Sequence, residues 1–99
     1  MEIRIQAIHF DVTERLDAFI RKKVAKLSQY HDGILDAEVI LRVVKPETAR
    51  NKQAGIRLQI KSNDLFAEKV SDTFEEAVDE AVVALEKQLI KAKEKSRSK

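Results

Sequence analysis

Leu35-Asp36-Ala37-Glu38-Val39-Ile40-Leu41-Arg42-Val43 is the stretch on which the fold turns. Leu35, Ala37, Val39, Leu41 and Val43 alternate with mostly polar neighbours, the period of two that gathers every second side chain on one face of a strand. Ile56, Leu58 and Ile60 repeat the pattern against Arg57, Gln59 and Lys61. Ile3, Ile5 and Ala7 do so against Arg4 and Gln6, predicting a first strand at about residues 2 to 8. Between the two central strands, residues 45 to 53 carry the only proline and no periodicity, and read as an exposed hairpin connection. Ser62-Asn63-Asp64 turns into a weaker fourth strand from about Leu65 to Val70.

Two segments change period. Val12, Leu16, Phe19, Ile20, Val24, Leu27 and Tyr30 recur at helical spacing, giving an amphipathic helix over about 14 to 29 with Asp11 or Thr13 as its N-cap. His31-Asp32-Gly33 ends it, glycine being suited to the left-handed conformation just past a helix. The last helix begins at Asp72, with Glu75 three residues on in capping-box spacing. It runs through Phe74, Ala77, Val78, Ala81, Val82, Leu85 and Leu89. The order β-α-β-β-β-α predicts an α+β fold in which a four-stranded sheet carries both helices on one face. Residues 1 to 99 are expected to form a single domain, with a flexible basic tail from about Lys93 to Lys99.

Composition narrows the chemistry. The chain has no cysteine, so a disulfide framework, a thiolate nucleophile and a sulfur-ligated metal are all excluded. No apolar run approaches the roughly 18 residues that span a bilayer, and the first residues lack a secretory pattern. A cytoplasmic protein without membrane contact is the expectation. Lysine and arginine number 19 against 17 aspartates and glutamates, a balance that by itself separates nothing. Their distribution says more: from Asp64 through Glu86 there are eight acidic residues and one base, Lys69, whereas from Lys87 onward there are six bases and one acid, Glu94.

At about 100° per residue, Lys23 falls inside the apolar arc of the first helix, and Arg15, Lys22 and Lys26 continue round one flank from it. Arg21 lies elsewhere. On the last helix Gln88 intrudes on the apolar arc and Lys87, Lys91 and Lys95 follow one flank. Two such stripes would border a shared groove suited to backbone phosphates, where several ammonium groups displace condensed counterions without base-specific geometry. A plainer account stands beside this one. The helix dipole favours acids early and bases late by roughly 0.3 to 1 kcal/mol each, and Lys23 could snorkel past the core with its head in water. The coincidence on two helices favours the binding surface.

Other constellations point to nothing chemical. His9 and His31 have no metal-ligand spacing, and Gly33 and Gly55, the only glycines, form no phosphate-cradling loop. Glu75, Glu76, Asp79 and Glu80 read as a solvated face. Phe10, Phe19, Phe66 and Phe74 suit core positions or strand edges better than a stacking platform. A small phosphatase-like enzyme would need a nucleophile and base, and none is apparent. No catalytic residue, metal, cofactor or small-molecule substrate is expected. A protein-interaction or self-associating module remains as an alternative, motivated by Ile40 and Val44 on an otherwise polar sheet face.

The segment His9-Phe10-Asp11-Val12-Thr13-Glu14-Arg15-Leu16, continuing to Lys23-Val24-Ala25-Lys26-Leu27, resembles the opening of the short ribosome hibernation promoting factor and ribosome-associated inhibitor A family, also called the sigma-54 modulation protein family. Asn63-Asp64-Leu65-Phe66-Ala67-Glu68, Asp72 to Ala77 and Leu85 to Lys95 extend the resemblance in order over nearly the whole chain. It implies the same β-α-β-β-β-α fold. It also implies binding to the small ribosomal subunit and its ribosomal RNA around the decoding region, where messenger and transfer RNA are obstructed and translation is suppressed in stress or stationary phase.

Position by position, the resemblance implicates Lys23, Lys26, Lys87, Gln88, Lys91, Lys93 and Lys95 in RNA binding, and the helical stripe adds Arg15 and Lys22. The chain departs from the family pattern at Ala84, where relatives often carry lysine, and in a slightly longer central hairpin. Long family members have a further C-terminal domain that pairs ribosomes. This chain is expected to act as one ribosome-binding domain, monomeric off the ribosome.

Overall fold

The computed structural model describes residues 1–44, 50–61 and 63–97, with side chains placed as far as residue 94. Four strands, β1 (Glu2–Ala7), β2 (Ile34–Val43), β3 (Lys52–Ile60) and β4 (Asp64–Ser71), form one sheet in the order β1-β2-β3-β4. β1 and β2 are parallel, so the chain must cross over between them, and α1 (Glu14–Ala25) followed by a 3₁₀ turn (Lys26–Gln29) makes that crossing. β2, β3 and β4 are joined antiparallel. α2 (Phe74–Arg97) then returns over β3 and β4 and packs beside α1.

One core lies between the sheet and the helices. Ala37, Val39, Leu41, Ile56 and Leu58 project from the sheet, and Ile20, Val24, Leu85 and Leu89 meet them from the helices, all fully buried. The expected alternation of β2 holds at its centre and fails at both ends. Leu35 is 56% exposed and Val43 40%. A register irregularity between Ile34 and Asp36 shifts the inward role to Ile34, which is buried, because one added residue in a strand reverses the facing of those beyond it.

Three boundaries differ from the sequence expectation. The first helix tightens into 3₁₀ geometry at Lys26, with the Tyr30 amide donating to the Leu27 carbonyl at 3.1 Å, a usual way to satisfy the last carbonyls. β3 begins at Lys52, several residues before its apolar pattern starts, and Arg50 to Gln53 of the expected connection lie outside the undescribed residues 45–49. Among residues 93 to 97, helix occupies the stretch expected as tail, since Lys, Ala and Glu are good helix formers and nothing there breaks the run.

The caps are local chemistry. Thr13 Oγ1 accepts the Leu16 amide at 3.1 Å, starting α1. For α2 the cap is Thr73, not Asp72: its Oγ1 accepts the Glu76 amide at 3.1 Å and its hydroxyl donates to the Glu76 carboxylate at 3.2 Å. Thr73→Ala is therefore expected to cost about 1 kcal/mol, read as a lower urea midpoint with an unchanged slope; an unaltered midpoint would deny the cap.

Both edges of the sheet receive a donor from the helix above them. Arg21 of α1 donates to the Ile3 carbonyl of β1 at 3.1 Å, and Gln88 Nε2 of α2 donates to the Phe66 carbonyl of β4 at 3.0 Å. The sheet face turned away from the helices carries Arg4 paired with Asp36 at 3.7 Å and Arg57 paired with Glu38 at 2.8 Å. Phe66, 52% exposed, lies on that face over Gly55, where a Cβ would stand 3.3 Å from the ring.

Candidate nucleic-acid interface

Lys23 marks where the two helices meet. Its ammonium lies 3.1 Å from Asp79 of α2 and 5.6 Å from the centre of the Phe19 ring. A lysine intruding on an apolar arc is thus accommodated by an acid and an aromatic face at the helix seam. Arg15, Lys22 and Lys26 are exposed along the adjoining flank of α1, as the helical spacing predicts.

α2 presents a different flank to α1 from the one that carries its lysines. Facing α1 and the 3₁₀ turn are Asp79, bonded to Lys23, and Glu86, which accepts the Tyr30 hydroxyl at 3.4 Å. Lys87 lies on the other side, beside Lys69 of β4, and exposed Lys91 follows one turn later. The two lysine stripes consequently do not border one groove. They form two patches, one on the flank of α1 that adjoins the helix seam, opposite the outer flank where Arg21 reaches β1, and one on the β4 side of α2, with the acid-bearing ridge of α2 between them. Neither periodicity nor composition tells which flank of a helix faces its neighbour.

The remaining expected residues fall in three settings. Gln88 is spent within the fold: its amide donates to the Phe66 carbonyl, which explains a polar residue on the apolar arc. Exposed Lys93 sits near Gln29, Tyr30 and Ile90 at the end of the 3₁₀ turn, apart from Lys87 and Lys91. Lys95 belongs to the α2 backbone, and its side chain lies outside the described residues.

His31 Nδ1 accepts the Gly33 amide at 2.9 Å, and His9 occupies a left-handed turn position at φ 68°. Both histidines serve turns, and no group of three potential metal ligands occurs among the described residues. Phe10 stacks on Phe74 at 5.0 Å and ties the entrance of α1 to the start of α2. No helix among the described residues is long and apolar enough to cross a membrane.

Such a surface can hold a polyanion by several separate ammonium contacts, and Asp79 competes for one of them. Asp79→Asn is expected to release Lys23 and raise affinity for a nucleic-acid polyanion roughly fivefold at about 0.1 M salt, with a steeper salt dependence by just under one contact. An exposed ion pair contributes at most about 1 kcal/mol, so the melting temperature should move little. A salt titration of binding reads the first effect, and unchanged affinity would remove Lys23 from the interface.

Comparison with known proteins gives the family and the fold. The family model described as Sigma 54 modulation protein / S30EA ribosomal protein matches residues 3–97. A ribosome hibernation promoting factor of Pseudomonas putida is 29% identical over 98 residues, covering 99% of this chain and 92% of that protein. The Escherichia coli K12 protein of the same name is 30% identical over 95 residues, covering 96% of each. Among solved structures, the Protein Y N-terminal domain of Thermus thermophilus superposes with a TM-score of 0.79 at 26% identity, over 92% of this chain and 98% of that one. A ribosomal subunit interface protein from Coxiella burnetii gives 0.83 at 24% identity, over 94% and 98%, a likeness of fold.

Proposed function

Because this chain belongs to the Sigma 54 modulation protein / S30EA ribosomal protein family, we propose that it is a cytoplasmic ribosome hibernation factor that binds the small ribosomal subunit near the decoding region and inhibits translation in stress or stationary phase. The reading is non-catalytic: lysines fix the protein on the RNA backbone, and the shape of the folded RNA selects the site. The observation that carries it is a pair of exposed cation clusters, Arg15, Lys22 and Lys26 on the flank of α1 that adjoins the helix seam and Lys87 and Lys91 on the β4 side of α2, while Arg4 and Arg57 of the opposite sheet face are paired with acids. Phosphate contacts of that kind position a protein without reading sequence.

Sucrose-gradient sedimentation of the purified protein with ribosomes and separated subunits, at low and moderate salt, tests it. Comigration with the small subunit that weakens steeply as salt rises is expected. Absence from every ribosomal fraction, with the protein folded, would overturn it. The alternative of a protein-interaction module is expected from the sequence at Ile40 and Val44, which are only half-exposed; on the open sheet face it draws instead on Phe66, an exposed aromatic, and would appear as salt-insensitive association without ribosome affinity.

A further inference from the structure

Lys69 is the single base among eight acids between Asp64 and Glu86, and the fold gives it an unusual position. It alternates in register with Leu65 and Ala67, which puts it on the helix side of β4, yet it is exposed because β4 is an edge strand. Among the described residues it has no ion pair within 4.0 Å. It shares a shallow depression between β4 and α2 with Glu80, Ala84 and Lys87.

The level of Lys69 along α2 follows from the Gln88–Phe66 hydrogen bond. Three strand residues advance roughly 10 Å, which is about seven residues of helix, and the chain reverses between β4 and α2. Lys69 therefore stands between Glu80 and Ala84, with Lys87 one turn beyond Ala84. The small side chain of Ala84 leaves the space between the two ammonium groups open.

Two other acids border this depression, and both are engaged elsewhere. Asp79 is matched by Lys23 at 3.1 Å, and the Glu76 carboxylate is held by Thr73 at the start of the helix. Glu80 is the remaining acid of the depression, in no ion pair of its own among the described residues and on the same side as Lys69. On the C-terminal side of Ala84 the exposed flank is cationic, at Lys87 and Lys91.

Building on the ribosome-binding reading above, we propose that Lys69 and Lys87 together form a phosphate-binding site at the β4 edge, extending the RNA contact from the helices onto the sheet. The stem of Lys69 carries a mobile point charge across the floor that Ala84 leaves vacant. The ligand is a backbone phosphate of the RNA to which α2 docks. A lysine at position 84 would deliver an ammonium to the same space, so the cation can come from either element.

The experiment compares the full-length Lys69→Gln, Lys87→Gln and Lys69→Gln/Ala84→Lys proteins in binding to isolated small ribosomal subunits across a salt series. Lys69→Gln is expected to bind about fivefold to eightfold more weakly at about 0.1 M salt, with a salt slope flatter by just under one; the double variant should recover both. Parental binding and slope in Lys69→Gln, alongside weakened Lys87→Gln, would overturn the site and leave the ribosome-binding reading standing. A loss in Lys69→Gln that the second lysine does not restore would also overturn it, assigning Lys69 to charge balance against Glu80. If no variant, nor the parent, binds subunits, the ribosome-binding reading fails and this site with it.

Discussion

Replacing Lys26, Lys87 and Lys91 together by glutamine is expected to weaken binding to small ribosomal subunits by roughly a hundredfold to several hundredfold at about 0.1 M salt. Each ammonium that meets a phosphate releases condensed counterions, and at that salt a single contact is worth about fivefold to eightfold. Three independent contacts multiply. The salt slope should flatten by roughly two to three in the same titration. All three side chains are exposed, and glutamine keeps the helix-forming character of lysine, so the unfolding curve should stay in place. Lys23 is left out on purpose: its pairing with Asp79 makes its loss ambiguous between the seam of the helices and the RNA. A triple variant that still sediments with subunits at moderate salt would sink the two-patch interface.

The largest effect on stability is expected at Leu85, fully buried where α2 meets the sheet. Leu85→Ala removes the methyl groups from water-excluded packing and leaves a cavity that its neighbours fill only in part, at about 2 to 5 kcal/mol. Against the 5 to 15 kcal/mol that holds a typical domain together, this is a substantial share. In a domain of this size it corresponds to a fall in melting temperature of roughly 10 °C or more. Because α2 carries Lys87 and Lys91, ribosome binding should fail at the temperature where α2 comes off the sheet, well below the parent's own loss. A melting temperature within a few degrees of the parent would mean that α2 is not anchored through Leu85.

Most of the architecture was legible because alternation and helical spacing are direct images of which side chains leave water. Val39, Leu41, Ile56 and Leu58 could be placed on the core side from periodicity alone. What stayed hidden had physical reasons. β3 starts at Lys52, but the early residues of its pattern are the small Ala54 and Gly55, one buried under α2 and the other under Phe66, so no apolar alternation announces the strand. Leu35 reads as inward until the irregularity at Ile34 turns it out. The cap of α2 moved from Asp72 to Thr73 because both residues can accept the needed amide, and only the backbone path selects between them.

The surface was legible to a lesser depth. Lys23 and Gln88 stood out as polar residues on apolar arcs, and each proved to have a partner that no local pattern contains: Asp79, 56 residues away in the chain by their numbers, and the Phe66 carbonyl on a strand edge. Helical spacing groups Arg15, Lys22 and Lys26 on one flank of α1, and Lys87 and Lys91 on one flank of α2, all of them exposed. It could not say that the flank of α2 bearing Lys87 and Lys91 turns from α1, since that depends on how two helices rotate as they settle on one twisted sheet. Lys69 was visible only as a solitary base in an acidic run until β4 became the edge.

The donors that Arg21 and Gln88 supply to Ile3 and Phe66 bear on how the protein behaves in a crowd. An edge strand offers a ladder on which a neighbour's strand can grow, and that growth is the first step towards insoluble aggregates. Here each border of the sheet has one rung already taken by a side chain from its own helix. A stranger's strand would have to displace an internal hydrogen bond before adding to the sheet. The same glutamine that aligns α2 thus raises the threshold for aggregation.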